Sequence, residues 1–421
     1  MKRRILVLIM AVCLLSSMKV EAKVLSDEIT KLSKTDNINF ATDDLDNNVR
    51  YIGSNPNNYV EFNNELWRII GVFDGKIKII RMNSIGSYSF DLIGDSYDNA
   101  TGQNDYSKSK LMQELNGDYL NYNLTSNTLW YQRIPNRIKG EFDYKKVIKK
   151  DAQDMITESV WHLNVPNVVN GEVTVDKSLL TAKTVYNNEY HSSSDKTWTG
   201  KVGLINTSDY LYQTAGSTAV SRDECLNTGY WRQLVDCTNN SWFRASWIWA
   251  INQYEYNGNS WASSPAHAVE GNEVTASQAV YPVVFLNSHV YSTDGDGSQT
   301  NPYKVSLYHE VEFINDDNSE IVKVENNTKL EYKELTKENY TFLGWYEDTE
   351  LTKKYDFNNV VSAPKKLYAK WISNKFENVD NNKVKEVTMN PKTGDSAIIA
   401  IILLFISSAS LYLVNKNKNK K

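Results

Sequence analysis

Two apolar runs free of charged residues, 5–15 and 397–414, bracket a long stretch in which apolar and polar residues alternate in short bursts. Residues 59–62, 65–73 and 76–81 form three such bursts, separated by Asn63-Asn64 and Asp74-Gly75. Both separators tolerate positive φ, so the spacing predicts a three-strand meander with tight turns. In its middle run Leu66, Arg68 and Ile70 oppose Trp67, Ile69 and Gly71. Nearly apolar on both sides, it predicts a strand covered on both faces. Short helices are predicted over 27–32 with Ser26 as cap, over 107–115 ended by Gly117, and over 183–188. A short buried strand is expected at 201–205, with Ser208 and Asp209 capping the turn after it. Residues 279–286 read as a strong strand with Pro282 at its start or on an edge. Residues 120–175 show no clear period.

A second unit follows at 310–371. Its apolar blocks 340–346, 355–357 and 367–371 alternate with polar residues and carry one punctuating glycine, Gly344. That pattern suits a small sheet. Residues 372–389, rich in Asn, Lys, Glu and Val, read as a flexible linker.

The two terminal runs change how everything between them is read. Lys2, Arg3 and Arg4 precede the first run, and Val20-Glu21-Ala22 supplies small residues after it. This is the pattern of a secretory signal peptide over 1–22, cleaved after Ala22. The second run has the length of a membrane-spanning helix, 397–414, followed by Lys416, Lys418, Lys420 and Lys421. Residues 1–22 and 394–421 are both basic, at a net +3 each. The chain as a whole is −5, so the mature part carries −11. An acidic exterior argues against nucleic acid as a partner. Of three cysteines one leaves with the signal peptide, which leaves Cys225 and Cys237. In an exported chain the pair reads first as a disulfide, closing a loop with a gain of about 2–3 kcal/mol. Two free thiols are the rival reading.

Resemblances extend this picture. Asn390-Pro391-Lys392-Thr393-Gly394, the apolar run and the basic tail, in that order, resemble the cell-wall sorting signal of Gram-positive surface proteins. The resemblance implies cleavage between Thr393 and Gly394 by a membrane sortase and attachment to peptidoglycan, with the membrane as a partner before sorting. Asn390 stands where the commonest form has Leu. A plain membrane anchor is the alternative. Tyr59-Val60-Glu61-Phe62 with Leu66-Trp67-Arg68, Trp198-Thr199-Gly200 with Ser208-Asp209-Tyr210, and Tyr281-Pro282 with Asn301-Pro302-Tyr303 resemble an uncharacterised extracellular domain family. That resemblance covers 45–307 and implies a fold like C-type lectins and formylglycine-generating enzymes. The second unit resembles the B repeat of internalin-type surface proteins, which implies a β-grasp-like module. The resulting expectation is an α+β chain. It comprises a polar segment at 23–44, an irregular, loop-rich, lectin-like head with antiparallel sheet at 45–307, and the β-grasp-like module at 310–371. The linker at 372–389 and the sorting signal at 390–421, with its C-terminal transmembrane helix, complete it.

Candidate chemistry is sparse. Trp242, Trp247, Trp249 and Trp261 form a candidate ligand platform, since flat aromatic faces suit sugars. Core packing is the stronger alternative. Asp294 and Asp296 lie in a glycine-rich turn that lacks the remaining ligands of an EF-hand. The five histidines show no metal spacing, and no nucleophile elbow is present. No cofactor or metal is expected. The expected function is adhesion or ligand binding by a surface protein, with a host or microbial surface ligand and glycans as one candidate. An extracellular enzyme acting on polymer and a structural pilus or wall component are the alternatives.

Overall fold

The computed structural model describes residues 22–374, apart from 95, 97, 122–129, 135, 141, 230–233, 246, 257–258 and 264–269. These residues fall into a large unit, up to Glu334 together with Gly344–Lys370, and a small one, Leu335–Leu343 with the residues from Trp371. In the small unit the rings of Phe342 and Trp371 lie 5.0 Å apart. There the Asn374 N–H donates to the Asn339 carbonyl at 2.8 Å.

The large unit is organised on the predicted meander. Strands Tyr59–Phe62, Glu65–Phe73 and Lys76–Arg81 pair antiparallel. Asn63, Asn64 and Asp74 take positive φ at the turns, as the sequence pairs require. Strand Val283–Leu286 adds beside Lys76–Arg81. On the other side Tyr303–Asn315 pairs parallel to Tyr59–Phe62 through Tyr303 and Val60. Val290–Asp294 and then Lys23–Val24 complete that edge. Glu65–Phe73 also receives Val49–Tyr51, in the register Arg50 opposite Gly71. A Cβ at Gly71 would stand 2.1 Å from the Val49 carbonyl oxygen, so only glycine admits this crossing strand. The doubly covered middle strand is as expected: Trp67 through Phe73 are all buried.

Several expectations are corrected. The α+β fold class gives way to a sheet-rich one, with 39% strand and 18% helix. The longest helix among the described residues, Ala182–Tyr190, has nine residues. Runs of Asn, Tyr and β-branched residues favour turns and strands over longer helices. Among the described residues no helix is long and apolar enough to cross a membrane. The expected spanning helix at 397–414 lies outside the described residues, as do the signal peptide core and the pentapeptide 390–394. The segment 23–44 packs into the head: its helix starts at Leu25, ahead of the expected Ser26 cap, and buries Leu25 and Ile29 fully. Gly117 does not stop a helix but lies inside a π-turn, Leu115–Tyr119. Residues 279–286 form two strands, Ser277–Val280 and Val283–Leu286, in different sheets. Pro282 lacks the N–H that would continue the ladder between them.

Strand Tyr303–Asn315 does not stop where the head was expected to end. It runs on as the first strand of the second unit, pairing antiparallel with Asn318–Glu325 and parallel with residues 365–368. Val311, Phe313, Val324, Trp345 and Leu367 are among the buried side chains of that small sheet.

Candidate functional site

Beneath the sheet lies a set of charges with almost no access to water. Gly71 brings Arg50 close to the middle strand, and Lys78 projects from the strand Lys76–Arg81. Helix Thr207–Leu211 supplies Asp209. Its carboxylate accepts from Arg50 Nη1 at 2.6 Å and from Lys78 Nζ at 2.5 Å. Arg50 Nε also donates to Asp44 at 2.7 Å, and Lys78 Nζ donates to Asn206 Oδ1 at 2.9 Å. All four charged side chains are at most 2% exposed. Burial alone would push Asp209 up, but Lys78 and Arg50 outweigh it and hold its carboxyl below the usual range. Glu189, from helix Ala182–Tyr190, accepts from the Ser208 hydroxyl and backbone N–H. Burial, with Asp209 nearby, pushes Glu189 up to about 8. At neutral pH the set is therefore two cations against two carboxylates, with one protonated acid beside them.

Three aromatic rings close over Lys78. Its Nζ lies 5.2 Å from the centre of Phe73, 5.4 Å from Trp161 and 5.3 Å from Phe285. A cavity of about 470 Å³ opens from this floor, with Tyr186 and Tyr190 as further walls and Asp46, Asp74 and Lys76 toward its mouth. The Tyr186 hydroxyl donates to Asp46 at 2.6 Å. Strand Ser159–His162 lines the cavity. Ser159 Oγ and His162 Nδ1 are buried there without a hydrogen-bond partner among the described residues. His162 Nδ1 comes only to 3.5 Å from Asp195. Burial, reinforced by Lys78, lowers its pKa and keeps the imidazole neutral. Asp209 joins both cations, Arg50 Nη2 is buried without a hydrogen-bond partner among the described residues, and Ser159, His162 and Asn206 add polar groups to a largely aromatic lining.

The residues singled out from sequence lie elsewhere. Cys225 and Cys237 form a disulfide between two short helices, with Cα atoms 5.7 Å apart. Trp242 and Trp249 are core side chains, donating through Nε1 to the carbonyls of Tyr51 at 2.9 Å and Tyr88 at 2.8 Å. Trp247 is 59% exposed, on a backbone with φ of 55°. Trp261 sits on strand Asn259–Ser263, and its side chain is outside those described. The structure therefore does not gather the four tryptophans into one platform. Asp294 and Asp296 accept backbone N–H groups within their own turn. Among the described residues no group of three or more His, Cys, Asp or Glu is placed to hold a metal ion.

Sequence reasoning missed the buried network and the cavity. Ser208 and Asp209 stood out only as caps, whereas their side chains bind Glu189, Arg50 and Lys78. A signal was present: Lys78 lies between Ile77 and Ile79 in an otherwise apolar strand, so a covered sheet must bury it and supply a counter-charge.

Residues 309–370 match the family model of the Listeria-Bacteroides repeat domain. This repeat is typical of surface or extracellular proteins, which agrees with the B-repeat resemblance of the second unit. No curated protein matches the chain.

Proposed function

We propose that this chain is a surface protein whose head binds a ligand in the aromatic-walled cavity and whose repeat presents that head. The observation that carries the reading is the cavity of about 470 Å³ itself, lined by Phe73, Trp161, Tyr186, Tyr190 and Phe285 together with polar groups of Asn48, Ser159, His162 and Asn206. Both buried cations are already paired with carboxylates, which favours binding over catalysis. The repeat supports a surface location. The pairing of Lys23–Val24 with Tyr291 and Ser292, which joins the two ends of the head, supports the lectin-like reading.

The test is adhesion of the full chain to host or microbial cell surfaces, compared with Val160→Trp. Val160 lines the cavity and is 55% exposed, so the larger ring blocks the space while the core stays intact. Surface binding should fall at least tenfold with the circular dichroism spectrum unchanged. Undiminished binding would sink the cavity as the ligand site.

Wall attachment is the second part of the proposal, through Asn390, Pro391, Lys392, Thr393 and Gly394, read by a sortase and joined to peptidoglycan. It rests on the order of pentapeptide, apolar run and lysines. Replacing Thr393 and Gly394 together should remove the protein from the wall fraction. A wall-bound double variant would refute sorting at this site.

A further inference from the structure

We propose that the floor of the cavity crosslinks itself: Lys78 Nζ displaces the amide nitrogen of Asn206 to form a side-chain amide bond, with Asp209 as the base. The inference goes beyond ligand binding, because the bond is made once per chain and no substrate is turned over. Three observations lead to it.

The first is the nucleophile. Lys78 is the one buried lysine among the described residues. Phe73, Trp161 and Phe285 surround its Nζ at 5.2–5.4 Å. It shares its carboxylate partner, Asp209, with Arg50. Burial outweighs that partner and lowers the pKa of the amine. A desolvated lysine that gives up its proton more readily is the activated form of this nucleophile.

The second is the electrophile. Asn206 is 1% exposed, and both ends of its carboxamide are held. Nδ2 donates to the His162 carbonyl at 3.2 Å, and Oδ1 accepts from Lys78 Nζ at 2.9 Å. The carbonyl carbon lies one bond beyond Oδ1, so a small rotation at the end of the lysine chain presents Nζ to it. Asp209 is the poorer acceptor. The two cations hold its carboxyl below the usual range, and a carboxylate resists attack.

The third is the base. Asp209 Oδ2 lies 2.5 Å from Lys78 Nζ, within reach for proton transfer. The Lys78 ammonium gives one proton to Asp209, and the freed electron pair attacks Asn206 Cγ. A second proton passes from the attacking nitrogen to Nδ2, the Cγ–Nδ2 bond breaks, and ammonia leaves. Asp209 returns its proton to the ammonia, which departs as ammonium through the cavity that Lys78 and Asn206 line. The products are one amide bond and an ionised Asp209 still paired with Arg50. Holding amine and carboxamide in contact replaces a bimolecular encounter. The bond also removes a buried ammonium and the cost of keeping it from water.

The test is mass spectrometry of the full chain, denatured, reduced and digested with trypsin. The peptides carrying Lys78 and Asn206 should appear as one branched ion, lighter than their sum by one ammonia, and cleavage after Lys78 should be lost. Lys78→Arg keeps the charge and should abolish the branched ion. Asp209→Asn should reduce it at least tenfold with the circular dichroism spectrum of the wild type retained. Two separate peptides of full mass from the folded wild-type chain would overturn the crosslink, whatever the variants do. A branched ion lighter by one water would overturn Asn206 as the acceptor in favour of Asp209. An undiminished branched ion in Asp209→Asn would overturn Asp209 as the base.

Discussion

The head and the repeat place their charges in opposite ways. In the head Arg50, Lys78, Asp209 and Glu189 lie inside, at most 2% exposed, under three aromatic rings. In the repeat the ion pairs Lys366 with Glu312, Lys353 with Glu347 and Lys333 with Glu320 all lie on the outside of the sheet. Its interior is a short apolar set around Val311 and Trp345. Buried charge does little for stability and much for the definition of a site, because each group must meet one particular partner. Surface pairs ask for little and keep a small sheet soluble. The difference is what the proposed function expects of a head that binds and a repeat that presents it.

The largest way to break this contrast is Asp209→Ala. It leaves Lys78 and Arg50 buried with their shared carboxylate gone, and should cost about 3–5 kcal/mol in chemical denaturation. Hydrogen exchange should show the loss in the head and spare the repeat. Equal loosening of both regions would mean that the network stabilises the whole unit. Reducing the Cys225–Cys237 disulfide should come next, at about 2–3 kcal/mol, again confined to the head. Thermal melts with and without reductant check this.

The pH dependence should differ in sign. Glu189 is pushed up to about 8 from an ordinary 4.5. Between those values the folded head holds a proton that the unfolded chain has released. Head stability is therefore full below about 4.5 and declines as pH rises toward 8, by ~1.4 kcal/mol per unit at most. Glu114, pushed up to about 9 by burial beside Asp118, adds a slope of the same sign. Glu189→Gln should flatten its share of the decline in urea melts taken from pH 5 to 8. In the repeat, hydrogen bonds from Lys353 and Lys366 hold Glu347 and Glu312 below the usual range. That contribution is present above the ordinary glutamate value and is lost as pH falls through the lowered one. The smallest effect is expected for Lys366→Ala, a surface pair whose removal should leave the melting curve of the repeat within error. A clear loss there would erase the contrast.

What the sequence revealed and what it hid follow the same division. The repeat was legible because its blocks at 340–346, 355–357 and 367–371 are local patterns with fixed spacing. The meander was legible because its turns need residues that tolerate positive φ, and Asn63, Asn64 and Asp74 adopt it. The cavity was not. Lys78 and Asp209 are 131 positions apart, and the strand that brings Ser159 and His162 lies in the stretch without a period. Which polar residue meets which across a core depends on the closure of the sheet, and no local pattern encodes it. The tryptophan cluster misled for a related reason. An indole with one N–H satisfied by a carbonyl, as at Trp242 and Trp249, is an ordinary core side chain. Sequence alone does not separate that from a platform.

The unbroken strand Tyr303–Asn315 also has a mechanical meaning. A pull on the repeat reaches the head along this strand, between its antiparallel neighbour Val290–Asp294 and its parallel neighbour Tyr59–Phe62. The ladder bonds lie across the direction of the pull. They are loaded together, in shear, and do not open one at a time as a peeled hairpin would. The traction arrives three strands away from Lys76–Arg81, where Lys78 holds the floor of the cavity.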